Sequence, residues 1–233
     1  MGLLLIGIFL LLPIIVIIAS VSQKNNQSQP TVPPPSNLHG KRCFDTSTTG
    51  ERELLTLLKS TLNTDEYYIF SDIIIPDCFN ITTEIDHIVI SNHGIFVIEN
   101  KDYTGWIFGN PNHKKWTEVI RGGKKYSFQN PLHQNYGHKK ALQKALPFVE
   151  PSRFYSIIAF SRRAEFKTDI PNDVFFYDEI PDVIKSITDE RIDMPRVLLS
   201  IGKLSYLCQS PSSDRQEHVN NVVKKQSPSE DVS

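Results

Sequence analysis

Apolar residues cluster unevenly along this chain. Residues 2–19, GLLLIGIFLLLPIIVIIA, contain no charged side chain. As a helix rising ~1.5 Å per residue the run is about 27 Å long, close to the hydrocarbon thickness of a bilayer. It is longer than the ~7–15-residue apolar core of a signal peptide, and neither Lys nor Arg precedes it. Residues 2–20 are therefore expected to form a retained transmembrane anchor, in which Pro13 is tolerated. Ser20-Val21-Ser22 supplies the small residues that a cleaved signal peptide, the alternative, would need. Residues 21–42 are polar and rich in proline, with Pro33-Pro34-Pro35 stiffening a linker. Residues 208–233 have few large apolar side chains and are expected to be a disordered polar tail. One domain, residues 43–207, lies between.

Within that domain the apolar period changes from element to element. Leu54, Leu55, Leu58 and Leu62 recur at helical spacing, with hydroxyl caps just upstream, and predict a helix over 51–62. Apolar runs predict strands over 67–75, 84–91 and 94–101, with shorter ones at 105–109 and 116–120. A helix over 131–149 opens on Pro131. Strands at 154–161 and 174–177, a helix over 178–188 and a closing strand at 197–201 complete the pattern. The predicted fold class is α/β, a mixed sheet flanked by helices.

Some polar residues do not fit the apolar alternation. Residues 84–101, EIDHIVISNHGIFVIENK, read as a hairpin turning at Asn92 and His93. In a symmetric register Ile90 faces Ile95, Ile88 faces Val97 and Asp86 faces Glu99, with Lys101 one step further on the same face. Opposed carboxylates repel, and burial adds several kcal/mol per ion unless something neutralises them. A divalent cation does so, and carboxylate oxygens suit Mg²⁺. Alternatively Lys101 pairs with Glu84, and the two acids only mark fraying strand ends. Glu51 falls on the inward face of the first helix, or serves there as an acid favoured by the helix dipole. Gln134, His138, Ala141 and Ala145 form one stripe of the later helix, which otherwise has an ordinary polar start.

Charge and cysteine content narrow the partners. Twenty-five basic residues stand against 26 acidic ones, a net charge of −1, which excludes a bulk polycation. The three cysteines, Cys43, Cys78 and Cys208, form neither a CxxC zinc site nor a disulfide scaffold and are expected to be reduced. Lys24, Lys41 and Arg42 all follow the apolar segment, so the C-terminal domain is expected on the cytoplasmic side of the cell membrane. A local basic stretch holds Lys114, Lys115, Arg121, Lys124, Lys125, Lys139, Lys140 and Lys144 against the lone Glu118. Interleaved with Trp106, Trp116, Tyr126 and Phe128, it suits phosphate contact and base stacking. A solvated lysine-rich loop is the alternative.

The stretches TEIDHIVISNHGIFVIENKDYTGWIFG at 83–109, Gly50-Glu51, and NPLHQ at 130–134 followed by His138 and Leu142 resemble the NERD, or nuclease-related domain, family of the PD-(D/E)XK restriction-endonuclease-like superfamily. The resemblance implies metal binding by Asp86 and Glu99, and a catalytic set of Glu51, Asp86, Glu99, Lys101 and Gln134. It also implies Mg²⁺ or Mn²⁺ as cofactor, and hydrolysis of phosphodiester bonds in DNA, with RNA left open as the alternative. Lys114, Lys115, Arg121, Lys124, Lys125, Lys139 and Lys140 would contact the nucleic acid, and residues 2–20 would hold the enzyme at the membrane. Ile85 stands where the superfamily motif has proline. The competing expectation is a membrane-tethered binding module of the same fold that does not catalyse.

Overall fold

The computed structural model describes residues 41–42, 48–77, 81–189 and 191–208. Of the two units into which the chain divides, Met1–Pro34 and Pro35–Ser233, all of these belong to the second. The expected anchor and tail, save Cys208, lie outside them. Among the described residues no helix is long and apolar enough to cross a membrane.

Among the described residues ten strands and four α-helices follow one another. They are β1 (Lys41–Arg42), α1 (Thr49–Thr61), β2 (Tyr68–Pro76), β3 (Thr82–Ile90), β4 (Ile95–Lys101), β5 (Trp106–Phe108), β6 (Lys115–Val119) and β7 (Lys125–Gln129). Then come α2 (Pro131–Ala145), β8 (Phe154–Phe160), β9 (Glu165–Phe166), β10 (Val174–Phe176), α3 (Ile180–Lys185) and α4 (Met194–Leu207). A six-stranded sheet runs β1-β2-β3-β4-β8-β10, and a four-stranded one runs β7-β6-β5-β9. In the large sheet β2, β3 and β4 are antiparallel, whereas β4–β8, β8–β10 and β1–β2 are parallel. This is the mixed sheet flanked by helices that the sequence predicts.

Period-two alternation sends the strands' apolar residues to both faces. Ile88, Ile90, Ile95 and Val97 pack with Ala141 and Leu142 of α2, with Leu146 just beyond it, and with Val197, Ile201 and Leu204 of α4. Val89, Phe96 and Ile98 pack with Leu54, Leu55 and Leu58 of α1 and with Ile180 and Ile184 of α3. Full burial of each such side chain contributes roughly 1.5–3 kcal/mol, so every helix is fixed by its own stripe. A third cluster, around Trp116, Ile107, Ile158 and Phe160, fastens the small sheet to the large one.

Four expectations need correction. Residues 197–201 are not a strand but part of α4. Asp193 caps that helix by accepting from the Arg196 N–H, and Val197, Ile201 and Leu204 form its buried stripe. The helix expected to reach residue 149 ends at Ala145, with Leu146 as its C-cap. Strand β7 falls where no strand is expected; all its residues but half-buried Phe128 are exposed, so it lacks alternation. Cys208 is disulfide-bonded, so the cysteines are not all reduced.

Candidate active site

The hairpin register is the expected one as far as the ladder runs: Ile90 opposes Ile95, Ile88 opposes Val97 and His87 opposes Ile98. Beyond that pair the strands part, and the Asp86 carboxylate fills the gap by accepting the Asn100 backbone N–H at 2.7 Å. Glu99 is 1% exposed. It shares the parity of Ile95 and Val97 and so faces α2. There Lys101 Nζ lies 2.5 Å from Glu99 Oε1 and also donates to Gln134 Oε1 at 3.3 Å. Lys101, Glu99 and Gln134 thus converge, and Asp86 adjoins them closely enough to act on their charge states.

Glu51 approaches from the layer of α1. Its backbone N–H donates to Thr48 Oγ1 at 3.3 Å, and its carboxylate accepts the Thr48 N–H at 2.5 Å, forming a capping box. The helix-end role therefore holds, and the Glu51 side chain is half-buried there. Gly50 makes the approach possible, because a Cβ there would stand 2.5 Å from Asp102 Cβ and 2.8 Å from the Tyr177 hydroxyl. Glu51 makes no hydrogen bond to the other predicted residues; it senses Glu84 and Glu99 through their charge.

The charges are distributed asymmetrically. Burial, and then the neighbouring Glu99, push Asp86 well above the usual carboxylate range, against the Asn100 N–H and Lys101. Burial would raise Glu99 too, but the His138 and Lys101 contacts outweigh it and hold Glu99 below its ordinary value. Lys101 is buried, which would lower it, yet Glu99 and Asp86 keep it raised. Burial also raises Glu51, with the Thr48 backbone bond opposing and Glu84 adding to the rise. One carboxylate is held ionised against the ammonium, and the other favours its protonated form until more positive charge arrives.

Several residues outside the predicted catalytic set also shape the site. His138 Nε2 lies 3.0 Å from Glu99 Oε2, but neither atom makes a hydrogen bond of acceptable direction; Nδ1 of the same ring meets Thr83 Oγ1 at 2.9 Å. Asn130 caps α2 by accepting the Leu132 N–H, and its Nδ2 donates to the Asn110, Pro111 and His113 carbonyls. That anchorage places Gln134 one turn on. Asn135, fully buried, donates to the Val97 and Ile157 carbonyls and ties α2 to β4 and β8. Asp72 lies buried in β2 opposite Asp86, with a left-handed φ of 55° that aspartate tolerates better than most residues. Its signal was available: Ser71-Asp72 interrupts an apolar run.

A hard divalent cation fits this donor set. Asp86 and Glu99 offer carboxylate oxygens, and the buried Glu99 Oε2 lacks a well-directed hydrogen bond. Among the described residues no group of three or more His, Cys, Asp or Glu side chains is arranged to hold a metal ion. Two carboxylates suit Mg²⁺, which retains water and takes further oxygens from a phosphate.

The predicted nucleic-acid contacts divide into separate groups. Lys115 and Lys125 sit on the small sheet, Lys114, Arg121 and Lys124 on its flanking loops and turn, and Lys139 and Lys140 on α2 beside the exposed Tyr136. Trp116 is buried and Phe128 half-buried, so both support the core instead of a surface.

The nuclease-related domain family matches the chain over residues 46–161, the stretch that carries every residue of this centre. The chain belongs to the NERD family. Its function is nuclease-related. An uncharacterized protein of Bacillus anthracis is 35% identical to this NERD protein over 147 residues, covering 61% of the chain and 68% of that relative. No solved structure matches the chain. The NERD match ends just after β8, so α3 and α4, which close the two faces of the sheet, are supplied from outside it.

Proposed function

We propose that this protein is a membrane-anchored, divalent-metal-dependent nuclease that hydrolyses phosphodiester bonds in DNA on a restriction-endonuclease-like core. The observation carrying this reading is the convergence of Glu99, Lys101 and Gln134 beside Asp86 at the parted end of one hairpin. Asp86 and Glu99 would hold Mg²⁺ or Mn²⁺, which when bound activates water and polarises a phosphate.

The chain's own groups supply the rest. Hydrolysis adds water to phosphorus and breaks a P–O bond, with negative charge growing on the phosphoryl oxygens. Lys101, kept protonated by Glu99 and Asp86, places an ammonium where that charge grows. Gln134 fixes the ammonium's direction through its amide oxygen. Glu99 stays ionised, as a ligand must, and His138 steadies its second oxygen. Glu51 adds negative charge from the α1 side and would orient a water there.

Anchoring by residues 2–20, with the domain on the cytoplasmic face, rests on Lys24, Lys41 and Arg42 following the apolar run; the Cys208 disulfide lends that side no support, since cytoplasmic thiols are usually kept reduced. A binding module without catalysis is the second reading, favoured by the direct Lys101–Glu99 ion pair, which satisfies Glu99 without a cation. A cleavage assay separates the two. The full chain should cut DNA with Mg²⁺ or Mn²⁺ and not with chelator. Glu99→Gln and Lys101→Ala should each lower the rate by at least about 10²-fold while DNA is still retained. Cleavage surviving both substitutions removes the assignment, and an inactive wild-type chain favours the binding module.

A further inference from the structure

The small sheet leaves one face uncovered. Along β5 Trp106 and Phe108 are 50% and 41% exposed, while Ile107 between them is fully buried. The register carries that outer face across the sheet: Trp106 opposes Val119, which opposes Lys125, and Phe108 opposes Thr117, which opposes Ser127. Lys115 and Gln129 form the next pair on the same face. On the other side Glu165 opposes Trp106 and ion-pairs with Lys167, whose ammonium stands 4.7 Å from the indole centroid. With that pair neutral, Lys115 and Lys125 give the face a positive charge. A cavity of about 400 Å³ opens beside Trp106, with Arg121 in its wall.

Two flat rings on one face, about 7 Å apart along a strand, suit a polymer that offers flat surfaces in succession. The lysines require that polymer to be anionic. Bases of a duplex are stacked on one another, so their faces are hidden; those of a single strand are free. Stacking accepts any base, because every base has a π-face. The sheet is also well placed. Its strands β5 to β7 leave the chain just after Lys101 and return it to Asn130, one turn before Gln134, so both ends of the insertion lead into the centre.

We propose that this face is a stacking platform for single-stranded nucleic acid. Trp106 and Phe108 hold successive bases, Lys115 and Lys125 meet phosphates, and the strand continues toward Glu99 and Lys101. Only that last destination rests on the nuclease reading; binding to the face does not.

The two tryptophans make the test direct, since Trp116 is buried and Trp106 is exposed. The full chain, in chelator, is titrated with fluorescein-labelled oligothymidylate and with a duplex of equal length, reading both anisotropy and tryptophan emission. Oligothymidylate should bind tighter than duplex and quench the emission. Trp106→Ala and Phe108→Ala should each weaken its binding by roughly 5- to 100-fold, with Trp106→Phe close to wild type and circular dichroism melting unchanged. Should Trp106→Ala lose its fold, Phe108→Ala and Trp106→Phe still decide. Duplex preferred over the single strand, or full affinity in both alanine variants, overturns the proposal. So does an emission change with anionic phospholipid vesicles but none with oligothymidylate. A chain that binds the single strand yet never cuts with Mg²⁺ sinks the nuclease reading and leaves the platform standing. Cleavage with stacking variants that bind normally does the reverse.

Discussion

Asp86 shows how two residues of one chemistry acquire different work. It and Glu99 stand across the same hairpin, yet burial leaves Asp86 inclined to keep its proton while Lys101 and His138 hold Glu99 charged. The consequence for stability has a definite sign. A carboxyl whose folded value lies above its ordinary 3.8 binds protons more tightly folded than unfolded. Its stabilising contribution is full at acid pH and is lost as pH rises through the folded value. At neutral pH the ionised, metal-free form therefore carries a penalty. Asp86→Asn, which can still accept the Asn100 N–H, should raise the melting temperature of the chelated chain at pH 7. The gain should be a few degrees, at about 2–4 °C per kcal/mol for a chain of this size, and should vanish toward pH 4. Mg²⁺ should raise the wild-type melting temperature at pH 7 and should affect Asp86→Asn much less. A thermal shift series in pH with and without Mg²⁺ checks both; a variant less stable than wild type at pH 7 contradicts the assignment.

At the scale of elements, α2 is aimed by its N-cap. Asn130 is fully buried, caps the helix and holds three carbonyls of the loop before β6. Asn130→Ala removes a cap worth about 1 kcal/mol and leaves buried carbonyls unsatisfied at about 1–3 kcal/mol. Unfolding in urea should show a loss of about 2–4 kcal/mol, and cleavage should fall as Gln134 loses its place. Normal stability with normal cleavage would mean that the helix start is held by something else. The hairpin was readable because two unbroken apolar runs, Ile88-Val89-Ile90 and Ile95-Phe96-Val97-Ile98, flank a polar turn, so Asp86, Glu99 and Lys101 stood out as intrusions at its end. Helix α4 was not: Val197 to Ile201 is a short apolar run, and such a run fits a buried strand and a helix equally well. Strand β7 carries no alternation for a pattern to catch. Asn135 escaped because its importance lies in two carbonyls distant in sequence, Val97 and Ile157.

Across the whole molecule, charge is balanced in total but not in place: acids gather at the end of the hairpin, and lysines gather on the small sheet and α2. On the proposed reading such a domain meets its polyanion on one side of a membrane, and few residues would set that side. Lys24, Lys41 and Arg42 follow the apolar run, and none precedes it. A reporter fused after Ser233 should therefore be active only if it is of a kind that works in the cytoplasm. Activity of an export-dependent reporter there would reverse the orientation and put the centre out of reach of cytoplasmic DNA.

The parallel pairing of β4 with β8 sets a clock on all of this. The two strands neighbour each other at the middle of the sheet, but β5 to β7 and α2 are synthesised between them. At about 5–20 residues per second, Asp86, Glu99 and Lys101 leave the ribosome seconds before β8 exists to flank them. Gln134 and His138 also wait on Asn130 to seat their helix. A nascent chain that ends before β8 therefore lacks part of the frame that holds Asp86, Glu99 and Lys101, so the centre cannot be complete until well over half of the chain has been made.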